Sequence, residues 1–184
     1  LDQGHQFLYC HLPAETWVYD LRASQALQRP VWFELRSGVG GSGLLGRNFV
    51  WCYDKWFVGH ITDPSIGYLT YDDGSHWGTT VNWEFYTPII YNEGRRALIH
   101  ELELVGTVGH SATEQTISTA YSVDGVNFGS NVTIDAGAPA EYNKRLVWIN
   151  QGVVDNVRVQ RFTGNSDTNL SFLRLEAKME GLNV

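Results

Sequence analysis

Six histidines and 20 acidic residues are the groups in this 184-residue chain best suited to chemistry. The histidines are His5, His11, His60, His76, His100 and His110. None stands in an H-x-H or H-x-x-x-H pair, the spacings that bring two imidazoles to one metal from a single element. Lone histidines in strand-like segments are packed or surface residues, so no metal site is expected. Hydrolysis of a glycosidic bond needs two carboxylates roughly 5–10 Å apart, one of them with a raised pKa. Asp72, Asp73, Glu84 and Glu141 are candidates, although a chain with this many acids offers some such set anyway. No arginine triad for a sugar carboxylate stands out. Ser111 and Ser122 lack the G-x-S-x-G elbow of a nucleophilic serine. No catalytic residue, metal ligand or cofactor is assigned, and the chain reads as a non-enzyme.

Thr70-Tyr71-Asp72-Asp73-Gly74-Ser75-His76-Trp77 fits the S/T-x-D-x-G-x-x-W pattern called an Asp-box. Ser122-Val123-Asp124-Gly125-Val126-Asn127-Phe128 is a shortened form without a second Gly after Asp-Gly. In such a box the Asp accepts backbone N–H bonds, the Gly takes positive φ, and the aromatic packs beneath. The motif supports hairpins and says little about activity. Gly38 to Gly46 is glycine-rich, but it lacks the Gly-Lys-Ser/Thr ending of a phosphate loop and no helix follows. It is expected to be a flexible loop between strands. Cys10 and Cys52 have no C-x-x-C spacing and are expected to be buried free thiols in strands. Trp17, Trp32, Trp51, Trp56 and Trp83 sit within strand patterns and are expected in the core. Trp77, in a turn, is expected to be the most exposed unless it packs under its Asp-box. Exposed aromatics would allow a second function, carbohydrate or protein binding.

These groups are carried by strands. Leu173 to Glu180 alternates apolar and charged residues, a period of two that separates them onto opposite faces of a strand. Leu98–Leu104, Ile117–Tyr121 and Val157–Val159 read as further strands, with turn chemistry at Asp124-Gly125 and Gly164-Asn165. This half reads as an antiparallel β-sandwich. The first half has short aromatic strands instead, and residues 1–91 hold six of the seven Trp. Three or four strands per 35–45 residues is the spacing of propeller blades, and two blade-like units fall at about 5–36 and 47–86. The fold expected is all-β, with a partial propeller-like region over residues 1–88 and a sandwich over 89–184. Asn92 to Arg96 reads as a turn or short linker. One helical turn is expected at Ala23–Leu27.

Composition bounds the function. Forty-three per cent of the residues are apolar, enough for a sizeable core. No apolar run approaches the ~20 residues that span a membrane, and Leu1 to Gly4 lack signal-peptide character. Without an initiator Met, the chain is expected to be cut from a longer one, with the remaining blades upstream. The net charge of −7 argues against a protein that coats nucleic acid, leaving only a local basic patch at Lys144 and Arg145.

An ordered set of segments resembles the packaged-DNA stabilisation proteins, or tail hub proteins (tail accessory factors), of short-tailed (podovirus) bacteriophages. The set includes Thr16-Trp17-Val18-Tyr19-Asp20-Leu21, Lys55-Trp56-Phe57-Val58-Gly59 and Ile66-Gly67-Tyr68-Leu69. It continues through Trp83-Glu84, Thr87-Pro88, His100–Leu104, the Ser122–Gly125 turn, Arg145–Trp148 and Val157–Val159. It runs from about residue 7 to 180 and corresponds to the C-terminal part of those longer proteins. The resemblance implies a virion protein assembled in the bacterial host cytoplasm. It implies a homo-hexamer beneath the portal–adaptor ring that closes the channel on packaged DNA and meets the tail needle and tailspikes. No catalysis or cofactor is implied, and the interface falls on no residue that the resemblance numbers. A carbohydrate-binding or sialidase-like glycan-active module is the alternative.

Overall fold

A computed structural model describes residues 4–38, 42–70, 72–165 and 170–182. The chain divides into two units, Leu1–Tyr71 with Ser75–Val81, and Asp72–Gly74 with Asn82–Val184.

In the first unit, β1 (Phe7–His11), β2 (Thr16–Asp20) and β3 (Trp32–Glu34) form an antiparallel sheet in that order. Between the last two lies α1 (Leu21–Leu27), the only helix among the described residues. Asp20 caps it by accepting the Ala23 N–H at 2.9 Å, and Gln28 ends it in the left-handed conformation, φ 52°. Next come β4 (Arg36–Ser37) and β5 (Ser42–Gly43), paired as a small hairpin. The glycine-rich stretch thus carries strand pairing at its flanks, and its tip, residues 39–41, lies outside the described residues. A second meander follows, of β6 (Gly46–Cys52), β7 (Lys55–His60) and β8 (Ile66–Tyr68). The hairpin of β9 (Ser75–His76) and β10 (Thr79–Thr80) closes the unit. Its two loop residues, Trp77 (φ 49°) and Gly78 (φ 76°), are both left-handed, as the tightest hairpin loop requires.

The second unit is a sandwich. Its strands are β11 (Asn82–Tyr86), β12 (Ile90–Tyr91), β13 (Ala97–Thr107), β14 (Thr116–Ser122) and β15 (Val132–Asp135). They continue with β16 (Leu146–Val154), β17 (Val157–Asn165) and β18 (Ser171–Gly181). One sheet runs β11-β17-β14-β15, with β12 continuing the β11 side of β17; the other runs β16-β13-β18. Residues 82–86, which the aromatic rhythm assigns to the second blade-like repeat, pair with β17 along their whole length. Asn92 to Arg96 is a tight turn between β12 and β13, with the Arg95 N–H on the Asn92 carbonyl at 2.7 Å.

The sandwich core gathers Leu104, Val108, Ile117, Ala136, Leu146, Trp148 and Phe162, with Trp83, Phe85 and Phe172 packed against it. Trp148 is 1% exposed and satisfies its indole N–H on the Val132 carbonyl at 3.0 Å, tying β16 to β15. Phe162 meets it edge-on, with ring centroids 5.4 Å apart. Gly164 is no turn residue. It pairs within β17 opposite both Trp83 and Ile117, and a Cβ there would lie 2.6 Å from Trp83 Cζ2. Its missing side chain is the space the indole fills.

The tryptophans divide differently from expectation. Trp51 is 54% and Trp32 48% exposed, and Trp17 is also exposed, whereas Trp56 and Trp83 are half-buried. Among the described residues of the first unit only Val18, Leu44 and Val58 are buried apolar side chains. Alternation assigned two sides to each strand, but only one of them is covered. Cys10 and Cys52 are free and half-buried.

Truncating Trp148 to Ala removes a fully buried ring and is expected to cost about 3–5 kcal/mol. Trp51→Ala is expected to cost under about 1 kcal/mol, because that ring already meets water. Urea unfolding of the two variants measures the difference.

Candidate interaction surfaces

The best-formed local device is the loop after β14. Ser122, 1% exposed, donates its hydroxyl to Asp124 Oδ1 at 2.7 Å and accepts the Gly125 N–H at 2.9 Å. Asp124 Oδ1 also accepts the backbone N–H groups of Val126 (2.9 Å) and Asn127 (2.7 Å), and Oδ2 accepts the Asn127 side-chain amide. These donors, led by the Asn127 backbone N–H, hold the carboxyl far below the usual carboxylate range. Gly125 supplies the positive φ of 76°. The Gly129 N–H then bonds the Tyr121 carbonyl at 3.0 Å and folds the loop back. Phe128 lands on the outer face of the sheet, against Tyr86 and beneath the Arg161 guanidinium at 4.6 Å. The shortened Asp-box is therefore fully functional as a turn without the second Gly. The first box falls partly on Tyr71, outside the described residues, while its Trp77 packs edge-on to His60 and lies across Gly67. At 37% exposure Trp77 is less open than Trp32 or Trp51.

The groups considered for chemistry are engaged in structure. His5 bonds Asp20 at 2.6 Å, and His11 bonds Thr16 at 3.2 Å. Burial, reinforced by Arg47, lowers the His11 pKa. His60 Nδ1 accepts the Thr62 and Asp63 N–H groups, and His76 meets the Ser37 hydroxyl at 2.8 Å. His100 lies 3.0 Å from Glu180, and the His110 ring lies tilted against Tyr142. Among the described residues no three His, Cys, Asp or Glu side chains converge as a metal cage. Glu141 holds its own loop by accepting the Ala138 N–H at 3.0 Å. Glu84 lies on the outward side of β11, where it helps burial raise the Tyr86 pKa.

Lys144 and Arg145 form no basic patch. Lys144 reaches Asp135 at 2.9 Å, and Arg145 grips Glu103 and sits 3.4 Å from Glu101. Glu103 is held below its ordinary pKa chiefly by its hydrogen bond from Arg145. Each cation is neutralised locally, which removes the one site considered for phosphate contacts.

One feature escaped the pattern of the sequence. Arg158 is 1% exposed and has no carboxylate partner among the described residues. Its Nε donates to Gln160 Oε1 at 2.8 Å, its Nη1 to the Gln151 carbonyl at 2.6 Å, and its plane lies 3.9 Å over the Tyr121 ring. Burial pushes its pKa down to about 10, so it stays charged at neutral pH. Gln160 extends the network to the Thr119 hydroxyl at 2.6 Å. Phe162, two and four residues beyond Gln160 and Arg158, gave the signal: all three share one face of β17, and Phe162 fixes that face as the inner one.

Short, aromatic, blade-like meanders followed in sequence by an antiparallel sandwich define an all-β protein of propeller-type and sandwich-type parts. The comparisons are specific. Residues 1–74 match the family described as bacteriophage P22 Gp10, beta-propeller, and residues 82–180 match bacteriophage P22 Gp10, beta-sandwich. The chain belongs to this family of phage tail proteins, as a structural component of the virion. It is similar to the tail hub protein gp10 of Salmonella phage P22, 26% identical over 161 residues. The match covers 88% of this chain and 32% of that relative, so the chain spans about a third of the relative's length.

Replacing Asp124 by Ala is expected to expose the Val126 and Asn127 amides to rapid hydrogen exchange, while Asp124→Asn retains partial protection because its oxygen still accepts. Since folding lowers the Asp124 pKa, its stabilisation is complete above about pH 4 and fades progressively as the pH falls from there toward the lowered value. The wild type is therefore expected to lose more stability than D124A between about pH 4 and pH 2, measured by urea unfolding at each pH.

Proposed function

We propose that this chain forms part of a phage tail hub that closes the portal–adaptor channel and stabilises packaged DNA. In that position it also meets the tail needle and tailspikes, within a homo-hexamer. The observation that carries the reading is the pair of family matches, propeller then sandwich, in one order along one chain. The chemistry agrees with it. Its histidines and its Lys144–Arg145 pair are committed to internal contacts, as a load-carrying wall requires, and its net charge of −7 repels passing DNA. No catalytic step is part of the role.

The second reading, a glycan-binding module, draws on Trp51, packed against Trp56 at 5.4 Å, and on Tyr53 at 90% exposure. Open aromatic rings of this kind stack on sugar faces.

Sedimentation with purified portal–adaptor rings tests the first reading. Co-sedimentation at six copies per ring is expected. No binding, together with retention of the chain on a glycan array through Trp51, would replace the hub role with the second reading.

A further inference from the structure

Among the described residues, the outer edge of β18 has no paired strand. The sheet runs β16-β13-β18, and no other described strand bonds to the far side of this eleven-residue strand. A long, regular, open edge is a template for another strand. Its side chains are the informative part. Outward from the sandwich, the strand presents Arg174, Glu176, Lys178 and Glu180, a strict alternation of charge. All four are exposed, Arg174 61%, Glu176 48% and Glu180 65% by side chain, and within the chain Arg174 pairs with Glu176 along the strand while His100 reaches Glu180 at 3.0 Å. On the opposite face stand Leu175, Ala177 and Met179, of which Met179 is 46% exposed although it lies opposite the fully buried Ile99.

We propose that this edge pairs with β18 of a second copy of the chain, antiparallel, about a two-fold axis at Ala177. In that register Arg174 lies opposite Glu180 of the second copy and Glu176 lies opposite its Lys178. The symmetry repeats both pairs, so four ion pairs line one face. On the other face Leu175 covers Met179 of the second copy, twice. Ala177 meets itself on the axis, where a small side chain lets the backbones approach. A single shift of register by two residues brings like charges together: Arg174 would meet Lys178. The pattern therefore selects its partner as well as its register. An edge guarded against association would carry one sign of charge, and this one carries two signs in a self-complementary order.

The strand can accept a neighbour. Its ladder with β13 slips at Leu173, between the Val105–Arg174 and Gly106–Phe172 pairs, so the bulge lies outside the stretch used. From Arg174 to Gly181 every residue of β18 has a partner on β13, and the extra residue farther along belongs to β13. Pairing would join two three-stranded sheets into one of six. The contact is isologous and yields dimers; neighbours within a polar ring of six meet through heterologous contacts, so this edge joins copies outside such a ring. The inference does not rest on the tail-hub reading.

The test is charge reversal followed by exchange, read by sedimentation of the 184-residue chain. Wild type is expected to show a monomer–dimer equilibrium. Glu176→Lys places like charges opposite each other twice and is expected to weaken the dimer by about tenfold or more. It trades one exposed ion pair, with Arg174, for another with Glu103 across the ladder on β13, so the fold is expected to hold. The double variant Glu176→Lys/Lys178→Glu restores opposite charges and is expected to restore the dimer. A second readout uses Ala177→Cys with Cys10→Ser and Cys52→Ser, which is expected to cross-link to itself on mild oxidation through residue 177. A chain that stays monomeric at high concentration, a dimer indifferent to Glu176→Lys, or a double variant that fails to recover would each overturn the proposal.

Discussion

Arg158 sets the terms for the whole sandwich. A guanidinium with no carboxylate beside it is expensive to remove from water, by several kcal/mol. The structure offsets this with two charge-assisted hydrogen bonds and the face of Tyr121. One of those bonds crosses between sheets, from β17 to the Gln151 carbonyl on β16. That carbonyl is available because β16 is distorted there. Asn150 (φ 54°) and Gly152 (φ 78°) are both left-handed, and the pairing of β13 with β16 slips at the same place. The bulge re-aims one carbonyl toward one cation. Slide either sheet by a residue and the guanidinium loses its one acceptor in the facing sheet, keeping only Gln160 on its own strand, which costs more than a lost apolar contact. The polar layer thus specifies how the two sheets face each other, while the Trp148–Phe162 cluster supplies most of the attraction.

β17 is where these two roles meet. Its inner row runs Arg158, Gln160, Phe162, from polar layer to apolar core. On its edges it bonds β11, β12 and β14. Thr87, between β11 and β12, exchanges hydrogen bonds with the Gln160 backbone at 2.9 and 3.0 Å, which carries the edge across the proline that follows it. On the outer face, Arg161 takes Phe128 from the Asp124 loop. A single strand consequently sets the core, the edge and the loop that covers its back.

How much of this was legible depended on what alternation can say. It revealed β18 and the sandwich because charged and apolar residues separate cleanly between Leu173 and Glu180. At β17 it gives the strand but not its faces, because by hydrophobicity alone Val157 and Val159 would point inward and Arg158 outward. Hydrophobicity assigns a charged residue to water, and only the parity of Phe162 reverses that assignment. The tryptophans failed for a different reason. A strand period shows that Trp17, Trp32 and Trp51 share a side with other residues, but whether that side is covered depends on chain far away in sequence. Gly164 was taken for a turn because glycine most often serves backbone freedom; here it makes room for Trp83, a close approach that no local window records. The Asp124 turn, in contrast, was legible in full, since all its donors and acceptors lie within eight residues.

The two sides of the sandwich are finished differently, and that asymmetry bears on assembly. At β15 and β16 the sheets are stitched across by the Trp148 indole on the Val132 carbonyl, and neighbouring carboxylates are taken up by Lys144 and Arg145. That side has spent its polar groups. On the other side β18 keeps an open ladder, and Met179 stands half in water although its neighbour Ile99 is sealed. Folding alone does not explain an apolar row left open beside an unbonded edge, since a single charge at position 179 would have closed it to partners at little cost to a core that Met179 barely enters. A structural protein gains from such a border where another strand is built onto it, which is what the proposed pairing of β18 would supply.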